Sequence, residues 1–305
     1  MNYGHLVRDA VGVSKMGNYQ IFTDATADLS PALLEGLPDI EIIPMQVEIA
    51  GNEYTYGLPG GITAKEFYWL QREGNFATTT QINPAIYHQS FEPWLRRGID
   101  VLYLCFSSGL SGTYQSAVLA IDKLREEYPE RKIVCIDTLG ATGGEGFLVR
   151  EAAKMQENGL SFAELVEWVE MRKLKVCHWF TVDTFTHLRH GGRISAAAAV
   201  MGTALQIKPL LHVDEVGKLQ VVEKVRGRNK AFMAQVARME QGWTPELGKF
   251  VLIGHADDFG AASILREKVL VKFPDAEVQI ADIGPIIGAH TGPGALTLFY
   301  WGNNR

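Results

Sequence analysis

The residues best suited to bind an anion follow a predicted strand near the middle of the chain. The apolar run Val101–Phe106 is typical of a buried strand in a parallel sheet, and Ser107-Ser-Gly-Leu-Ser111-Gly follows it and leads into a helix. Glycines let the backbone approach a ligand closely, and the first N–H groups of a helix have no intrahelical partner. A carboxylate or phosphate would satisfy those groups. Because no Gly-x-x-x-x-Gly-Lys-Ser/Thr sequence occurs, the loop predicts a small anion held by neutral donors.

A second set of hydroxyl groups lies in Thr78-Thr-Thr-Gln81, just before the helix start Asn83-Pro84. We predict a loop here, whose side chains lead into the positive end of a helix. Ordinary capping of that helix is the alternative, because Ser, Thr and Asn are the common capping residues. By itself this segment does not indicate an anion site. It does so only together with the other segments that are suited to bind an anion.

His290 lies in a segment rich in glycine and proline, Ile283–Gly294, which precedes the last predicted strand. We predict a tight loop in which His290 donates to a carboxylate through a ring nitrogen. A neighbouring anion would favour the imidazolium form. The alternative is a core histidine bonded to a backbone carbonyl, but ligand contacts are concentrated on such loops.

Arg193 lies in a glycine-rich turn between two predicted helices. The first helix ends after Thr186-His-Leu-Arg-His190 with Gly191 as its C′ residue, and Ser195 caps the second. Arg193 is suited to bind an anion or a partner, and equally to bind the last carbonyl groups of a helix. His187 and His190 have the spacing of metal ligands, but no third ligand accompanies them, so we do not predict a metal site.

The first half of the chain alternates strands and helices, which predicts a parallel, right-handed α/β sheet. Capping boxes begin two of its helices, at Thr63–Glu66 and Ser161–Glu164, and a hairpin joins Ile40–Ile49 to Glu53–Tyr56. Asp24 and Asp137 close predicted strands, where open α/β sheets bind ligands, although either residue is also suited to cap the next helix.

The second half predicts a mixed or antiparallel sheet with helices on one face. Its strands begin at Val176, and a hairpin surrounds Val216-Gly217. Helices are predicted near 196–205, 229–241 and 259–272. We therefore predict an α/β protein of two domains, with residues 1–18 as an extension or leader outside the fold, 19–175 as the first domain and 176–305 as the second.

Composition excludes several classes of function. The 305 residues carry a net charge of −6 with scattered lysines and arginines, which argues against nucleic-acid binding. No apolar stretch reaches the roughly 18–20 residues of a membrane helix, and the N-terminus lacks the apolar core of a signal peptide, so we expect a cytoplasmic protein. Three widely separated cysteines predict buried thiols rather than a disulfide framework.

Six segments occur in the order and spacing of the DegV family, and the chain resembles that family over roughly residues 19–302. They are Thr23–Asp28, Thr79–Gln81, Ser107–Ala117, Gly191–Ser195, Ile207–Pro209 and Gly288–Gly294. The chain departs from the usual pattern at Ala25 and Thr80, where the family has serine, and at Ile82-Asn83, which replace Pro-Ser.

The resemblance implies a bacterial fatty-acid-binding protein, similar to the binding subunit of the fatty-acid kinase system. One long-chain fatty acid would lie between the two domains, and its carboxylate would be held by the two threonines, the serine loop and the histidine. The residues of this chain at those positions are Thr79, Thr80, Ser107, Ser108, Ser111 and His290, with Thr80 in place of the usual serine. A separate ATP-binding kinase subunit would phosphorylate the carboxylate, and Arg193 matches the arginine implicated at that partner surface. No cofactor and no catalytic residue of its own are expected.

An enzyme remains the alternative. Ser111 and His290 would then serve as nucleophile and base of a lipid hydrolase or acyltransferase, with Asp24 or Asp137 orienting the histidine. The sequence around Ser111 lacks the Gly-x-Ser-x-Gly elbow of such enzymes, which favours the binding protein.

Overall fold

A computed structural model describes residues 18–194, 207–303 and 305 of the chain. The strands are β1 (Tyr19–Asp24), β2 (Glu41–Ile43), β3 (Met45–Ile49), β4 (Asn52–Tyr56), β5 (Ala77–Thr80), β6 (Asp100–Cys105), β7 (Ile133–Asp137), β8 (Val176–Thr181), β9 (Ile207–Val213), β10 (Leu219–Arg226), β11 (Phe250–His255), β12 (Glu277–Asp282) and β13 (Leu296–Trp301). The helices are α1 (Pro31–Leu34), α2 (Ala64–Arg72), α3 (Pro84–Arg96), α4 (Thr113–Glu127), α5 (Gly143–Glu157), α6 (Phe162–Arg172), α7 (Thr186–His190), α8 (Arg228–Gly242), α9 (Phe259–Lys272) and α10 (Pro285–Thr291). The predicted extension up to residue 17, the predicted cap Ser195 and the predicted helix near 196–205 lie outside the described residues.

The strands form three sheets. Four parallel strands in the order β2-β1-β6-β7 make the first sheet, and six strands in the order β10-β9-β8-β13-β11-β12 make the second. The second sheet is mixed, because β11 and β12 are parallel and the other neighbours are antiparallel. The predicted α/β class, with one parallel and one mixed sheet, is confirmed.

Helix α5 lies between the two larger sheets and packs against both. Its first turn contains Gly143-Gly-Glu-Gly146, and a Cβ at Gly144 would lie 2.1 Å from Nε2 of His178 on β8. A Cβ at Gly146 would lie 2.2 Å from the carbonyl oxygen of Ala27. Only glycine allows the helix to approach both layers so closely. Helices α3 and α4 cover the outer face of the parallel sheet, and α8 and α9 cover the outer face of the mixed sheet.

The central strands are apolar on both faces, as expected for a sheet buried between layers of helices. In β1 the side chain of Ile21 packs towards α5, whereas that of Phe22 packs with the aromatic residues of α3. The same alternation in β6 sends Leu104 to one face and Tyr103 to the other. The continuous apolar runs in the sequence therefore correspond to strands with two buried faces.

A third sheet has the antiparallel order β4-β3-β5. Its β3–β4 hairpin confirms the predicted hairpin before Glu53–Tyr56, whereas the sequence did not predict its third strand, β5. The predicted strand Ile40–Ile49 is wrong as a single element, because Pro44, which has no N–H to donate to a ladder, separates β2 from β3. Strand β2 joins the parallel sheet, and β3 pairs with β4 and β5. The predicted loop at Thr78–Gln81 is also wrong, since Thr78, Thr79 and Thr80 belong to β5.

Two further expectations about local structure need correction. His290 lies in helix α10 rather than in a loop, because Pro285 is well placed in the first turn of a helix. After α7 it is Gly192, with φ of +69°, that adopts the left-handed conformation, whereas Gly191 keeps helical angles. Both predicted capping boxes are present, at Thr63–Glu66 and Ser161–Glu164.

Within the described part of the chain, no helix is long and apolar enough to cross a membrane. Cys105 and Cys177 are buried, Cys135 is half-buried, and none of the three forms a disulfide.

Candidate functional site

A cavity of about 360 Å³ lies between the third sheet with α10 and the inner strands of the mixed sheet. This volume falls within the range of about 300–1,000 Å³ that is typical of small-molecule sites. Its apolar walls come from Phe106, Leu110, Phe180, Leu219, Ile286 and Ile287. One group of polar side chains in the lining consists of Thr79, Thr80, Gln81, Ser111, Arg193 and His290, and further polar side chains, among them Thr26, Thr142, His178 and Thr297, line other parts of the wall. The cavity is thus suited to a ligand with an apolar body and a polar end.

Thr79 and His290 are brought together across 211 residues. Oγ1 of Thr79 lies 3.0 Å from Nε2 of His290, and either atom is able to donate in that bond. Strand β5 places Thr79 opposite Val47 of β3, and α10 packs against the same sheet. Thr80, the next residue of β5, also lines the cavity, although its side chain is exposed.

The other ring nitrogen of His290 has no hydrogen-bond partner within the described part of the chain. Nδ1 of His290 is buried, and a Cβ at Gly191 would lie only 2.1 Å from it. Gly191 therefore allows the α7 turn to pack directly on the imidazole ring. A buried polar atom without a partner is uncommon and marks a place where a ligand or water would be stabilising.

Burial and neighbouring charges favour the neutral form of His290. Burial lowers the pKa of its imidazole to about 4, and the positive charge of Arg193 and the nearby His190 act in the same direction. A carboxylate bound beside the ring would oppose both effects, because a negative charge favours imidazolium. The site is therefore arranged to gain electrostatic stabilisation when an anion enters.

Ser111 lies at the entry to helix α4 and lines the cavity. Its hydroxyl oxygen is 2.8 Å from Oγ1 of Thr113 and accepts the N–H of Thr113 at 3.2 Å. The hydroxyl thus remains close to the helix start, as the sequence predicted for the serine loop, and faces the same cavity as Thr79 and His290.

The other two predicted serines do not line the cavity. Ser107 is fully buried, and its hydroxyl donates to the carbonyl oxygen of Gly217 at 2.8 Å. Ser108 donates its backbone N–H to Oδ1 of Asp137 at 3.1 Å, so Asp137 holds the loop. The predicted convergence of Ser107 with Ser111, Thr79 and His290 is therefore absent from this arrangement, whereas the other three residues share one cavity.

Arg193 lies at the edge of the cavity with an exposed side chain. Its guanidinium donates to the carbonyl oxygens of Leu110 and Gly191, which tie it to the serine loop and to the end of α7. The effect of Arg193 on the pKa of His290 shows that the two groups are electrostatic neighbours. Arg193 thus contacts helix-terminal backbone and also faces solvent beside the polar end of the cavity.

A cluster of buried carboxyl groups supports another part of the cavity wall. Oγ1 of Thr26, a lining residue, lies 2.5 Å from Oδ1 of Asp24 and 2.7 Å from Oε2 of Glu145. A hydroxyl group carries one proton, so one of the two carboxyl groups must itself be protonated. Asp24 also accepts from the hydroxyl of Tyr103 at 2.6 Å, which favours its ionised form and leaves the proton on Glu145. Burial raises the pKa of both carboxyl groups, but the bonds that Asp24 accepts from Thr26, Tyr103 and the N–H of Phe106 oppose this at Asp24, whereas the pKa of Glu145 is raised well above its usual value.

The sequence did not single out Thr142, which lies on the same side of the cavity. Thr142 has a φ of +49°, which is rare for a β-branched residue, and its hydroxyl donates to Oδ2 of Asp28 at 2.5 Å. Burial raises the pKa of Asp28 to about 7. The run Gly140-Ala-Thr-Gly-Gly144 signals a sharp turn, but nothing local in the sequence indicates that Thr142 meets Asp28.

The geometry does not favour the hydrolase alternative. Among the described residues no carboxylate is hydrogen bonded to His290, and its Nδ1 has no partner. Asp24 is bonded to Thr26 and Tyr103, and Asp137 accepts the N–H groups of Ser108 and Leu139. A nucleophile, base and orienting acid require consecutive hydrogen bonds, and neither aspartate supplies the last one.

His187 and His190 lie beside Phe76 rather than around a metal site. The ring of His190 stacks on Phe76 with centroids 4.4 Å apart, and the ring of His187 lies 5.3 Å from it. The described residues contain no group of three His, Cys, Asp or Glu side chains able to hold a metal ion.

Comparison with known proteins gives consistent matches along almost the whole chain. The family model described as "Uncharacterised protein, DegV family" matches residues 18–303. A DegV domain-containing protein of Clostridium perfringens is 39% identical over 290 residues, which are 95% of this chain and 99% of that protein.

Solved structures show the same fold. A DegV family protein from Thermus thermophilus, described by its fatty acid binding, is 30% identical with a TM-score of 0.81, covering 93% of this chain and 99% of its own. The fatty acid kinase (Fak) B3 protein of Streptococcus pneumoniae, loaded with linoleic acid, has a TM-score of 0.82 over the same shares of the two chains. At 22% identity, this second likeness concerns the fold alone.

Proposed function

The chain belongs to the DegV family, and from this premise we propose that it binds one long-chain fatty acid in the cavity beneath α10. The acyl chain would lie along Phe106, Phe180 and Leu219, and the carboxylate would lie at Thr79, Ser111 and His290. The fatty acid binding described for the Thermus thermophilus relative supports this choice of ligand.

One observation carries the proposal. The 3.0 Å contact between Thr79 and His290 brings a hydroxyl group and an imidazole together in the same cavity as the apolar side chains of Phe106, Phe180 and Leu219. Each buried methylene contributes about 0.8 kcal/mol before ordering costs, so the acyl chain supplies most of the affinity. The carboxylate needs neutral donors at this end, because an unpaired buried charge costs several kcal/mol.

The protein would act as a carrier that presents the carboxylate to a separate ATP-dependent kinase subunit. The exposed guanidinium of Arg193 beside the polar end of the cavity offers a contact for such a partner. The carboxylate oxygen would attack the γ-phosphorus of ATP and yield an acyl phosphate and ADP, with catalysis in the partner. A cytoplasmic location, where ATP is available, belongs to the same proposal.

The two proposed domains are residues 19–175 and 176–305. In support of this division, β8 begins at Val176 and is the first strand of the mixed sheet, whereas all strands of the parallel sheet precede it. The cavity takes residues from both parts, such as Phe106 and Phe180.

Mass spectrometry of the purified protein tests the proposal. Under native conditions we expect one long-chain fatty acid bound per chain, and under denaturing conditions we expect its release as an intact free acid. A covalent acyl group on Ser111 would instead support the hydrolase or acyltransferase. Protein that takes up no palmitic acid after delipidation would refute fatty-acid binding.

A second measurement tests the partner. Lipid-loaded protein is mixed with ATP and the ATP-binding subunit of a bacterial fatty-acid kinase, and the acyl phosphate is trapped with hydroxylamine. We expect an acyl hydroxamate only when all three components are present. Bound lipid without any trapped product would leave a carrier that serves no such kinase.

A further inference from the structure

Ser107 connects the serine loop to a distant turn of the mixed sheet. Its hydroxyl donates to the carbonyl oxygen of Gly217 at 2.8 Å, across 110 residues, and its oxygen accepts the N–H of Gly109 at 3.2 Å. Gly217 belongs to the turn Asp214–Lys218, which joins β9 to β10. Because Ser107 is fully buried, this bond is shielded from water.

The two backbones are in direct contact around this bond. A Cβ at Gly109 would lie 2.7 Å from the carbonyl oxygens of both Val216 and Gly217. A Cβ at Gly217, where φ is +73°, would lie 2.0 Å from Oγ of Ser107. Both positions therefore require glycine, and the turn fits against the serine loop without an intervening side chain.

Asp214 organises the turn from within. Its Oδ1 accepts the N–H of Val216 at 3.0 Å and the N–H of Lys218 at 2.8 Å. The side chain of Val216 points away from the loop and is 60% exposed. The carboxylate of Asp214 holds the turn in shape together with two backbone bonds, from the N–H of Asp214 to Lys218 and from the N–H of Gly217 to Asp214, and Ser107 attaches the turn to the serine loop.

The turn also closes one wall of the fatty-acid cavity. Val213 and Leu219, on either side of it, line the cavity. An outer cavity of about 400 Å³ lies against the same turn, and Leu110, Leu219 and Arg193 are common to both cavities. Movement of the turn away from the serine loop would connect the inner cavity to the outer one.

The position of the hairpin in the sheet favours such a movement. Among the described strands, β10 is the outermost of the mixed sheet and has a neighbour on one side only. A register shift between Val221 and Glu223 interrupts its pairing with β9, and a bulge of this kind bends a strand. The end of the hairpin is therefore able to move while the central strands stay paired.

We propose that Ser107 and the turn Asp214–Lys218 form a latch that controls entry and exit of the fatty acid. Ser107 is then a positioning residue and does not bind the carboxylate, whereas Ser111 does. This inference rests on the proposed fatty-acid binding. In this proposal the bond from Ser107 to Gly217 is present whenever the cavity is closed, and it is broken only while the fatty acid passes. A bond of this kind cancels from the dissociation constant and slows association and dissociation equally.

Kinetics with tritium-labelled palmitic acid test the latch. Ser107→Ala is expected to raise both rate constants about five- to tenfold, the factor that one hydrogen bond provides, and to leave Kd within about twofold of wild type. Val216→Ala, in the same turn but exposed, serves as the control with unchanged rates. Faster dissociation with a matching rise in Kd would make Ser107 a carboxylate ligand and overturn the latch. Wild-type rates in Ser107→Ala would overturn it as well.

A second pair of variants avoids the buried serine, in case its loss prevents folding. Asp214→Ala removes the acceptor of two turn N–H groups and is expected to raise both rates several-fold, while Asp214→Asn keeps one oxygen there and should restore wild-type rates. Equal rates for Asp214→Ala and wild type would contradict the latch. Failure of the wild-type protein to bind palmitic acid would instead refute the proposed function, so the two failures are distinguishable.

Discussion

Two polar regions border the cavity. They differ in whether their buried polar atoms have hydrogen-bond partners within the protein. Around Thr26, every carboxyl oxygen of Asp24 and Glu145 has a hydrogen-bond partner. At the other region, Nδ1 of His290 has none among the described residues. Polar groups that are satisfied internally stabilise the fold, whereas a preformed but unsatisfied group gains from a ligand. The difference favours a structural role for Asp24, Thr26 and Glu145 and a ligand contact at His290. Nε2 of His178, which also lines the cavity, is a second buried polar atom without a partner among the described residues.

The acids and the histidine also respond to pH in opposite directions. Burial disfavours the charged form in both regions, which raises the pKa of Asp28 to about 7 and lowers that of His290 to about 4. The folded state therefore resists ionisation of Asp28 as pH rises and protonation of His290 as pH falls. Variants at these positions separate the two contributions.

The largest expected effect comes from removing Glu145. Glu145→Ala should lower the free energy of unfolding by about 3 to 4 kcal/mol, because it removes the hydrogen bonds from Thr23 and Thr26 to Glu145 and opens a cavity in the core. Glu145→Gln is the matched control, since an amide both donates and accepts like the neutral acid and should cost about 1 kcal/mol or less. Urea unfolding of lipid-free protein measures both. If the glutamine variant were as unstable as the alanine variant, Glu145 would not be protonated.

The next effect is the pH dependence contributed by Asp28. In the unfolded chain the group ionises above pH 3.8, but in the folded protein it keeps its proton until about pH 7. Wild-type stability should therefore fall relative to Asp28→Asn as pH rises from about 4 to 7, by up to about 4 kcal/mol, and the difference should stay level above pH 7. Unfolding free energies at pH 4, 5.5, 7 and 8 test this. A difference independent of pH would show that Asp28 is ionised throughout.

His290 should contribute a smaller pH-dependent change in the free energy of unfolding, and one of opposite sign. Its folded pKa of about 4 lies below the usual 6.5, so the unfolded chain binds a proton first as pH falls. Lipid-free wild-type protein should lose up to about 3 kcal/mol relative to His290→Gln between pH 6.5 and 4. Bound palmitic acid should reduce this loss, because its carboxylate favours imidazolium. An equal slope with and without palmitic acid would place the carboxylate away from His290.

At the polar end of the cavity, we expect a substitution of His290 to change acyl-phosphate formation much more than fatty-acid affinity. His290→Ala is expected to retain bound fatty acid, because the acyl chain supplies most of the affinity, but to lose acyl-phosphate formation with the kinase subunit. Hydroxamate trapping measures the product, and mass spectrometry measures the retained lipid. Thr184→Ala, an exposed hydroxyl outside the cavity lining, is a suitable control. Unchanged phosphorylation in His290→Ala would count against the site.

Patterns confined to neighbouring residues were readily predicted from the sequence. The strands β1 and β6 follow from their apolar runs, and the helix starts at Thr63 and Ser161 follow from capping boxes that need only four residues. The sequence also brought Thr79, Ser111 and His290 forward as anion-suited residues, and the fold places all three on one cavity. Their binding of a carboxylate stays a prediction.

Features that depend on distant pairing were missed. Thr79 belongs to a strand only because β5 pairs with β3, and no local pattern distinguishes that strand from a loop. Ser107 and Ser111 look equivalent in the sequence, yet one meets Gly217 and the other faces the cavity. The direction of a hydroxyl group in a loop depends on what packs against the loop, and that packing is set by residues about a hundred positions away.

The smallest effect on stability is expected at Arg193. Its substitution tests whether the surface beside the polar end of the cavity contacts the kinase subunit. Arg193→Ala should change the free energy of unfolding by about 0.5 kcal/mol or less, since the side chain is exposed and, among the described residues, donates its hydrogen bonds to the backbone carbonyls of Leu110 and Gly191. Fatty-acid content should also be unchanged. Truncation of an arginine at an interface often costs about 1 kcal/mol or more of binding, so turnover at limiting concentrations of this protein should fall several-fold. If the variant were isolated without lipid and still saturated the kinase at wild-type concentrations, Arg193 would belong to the lipid site instead.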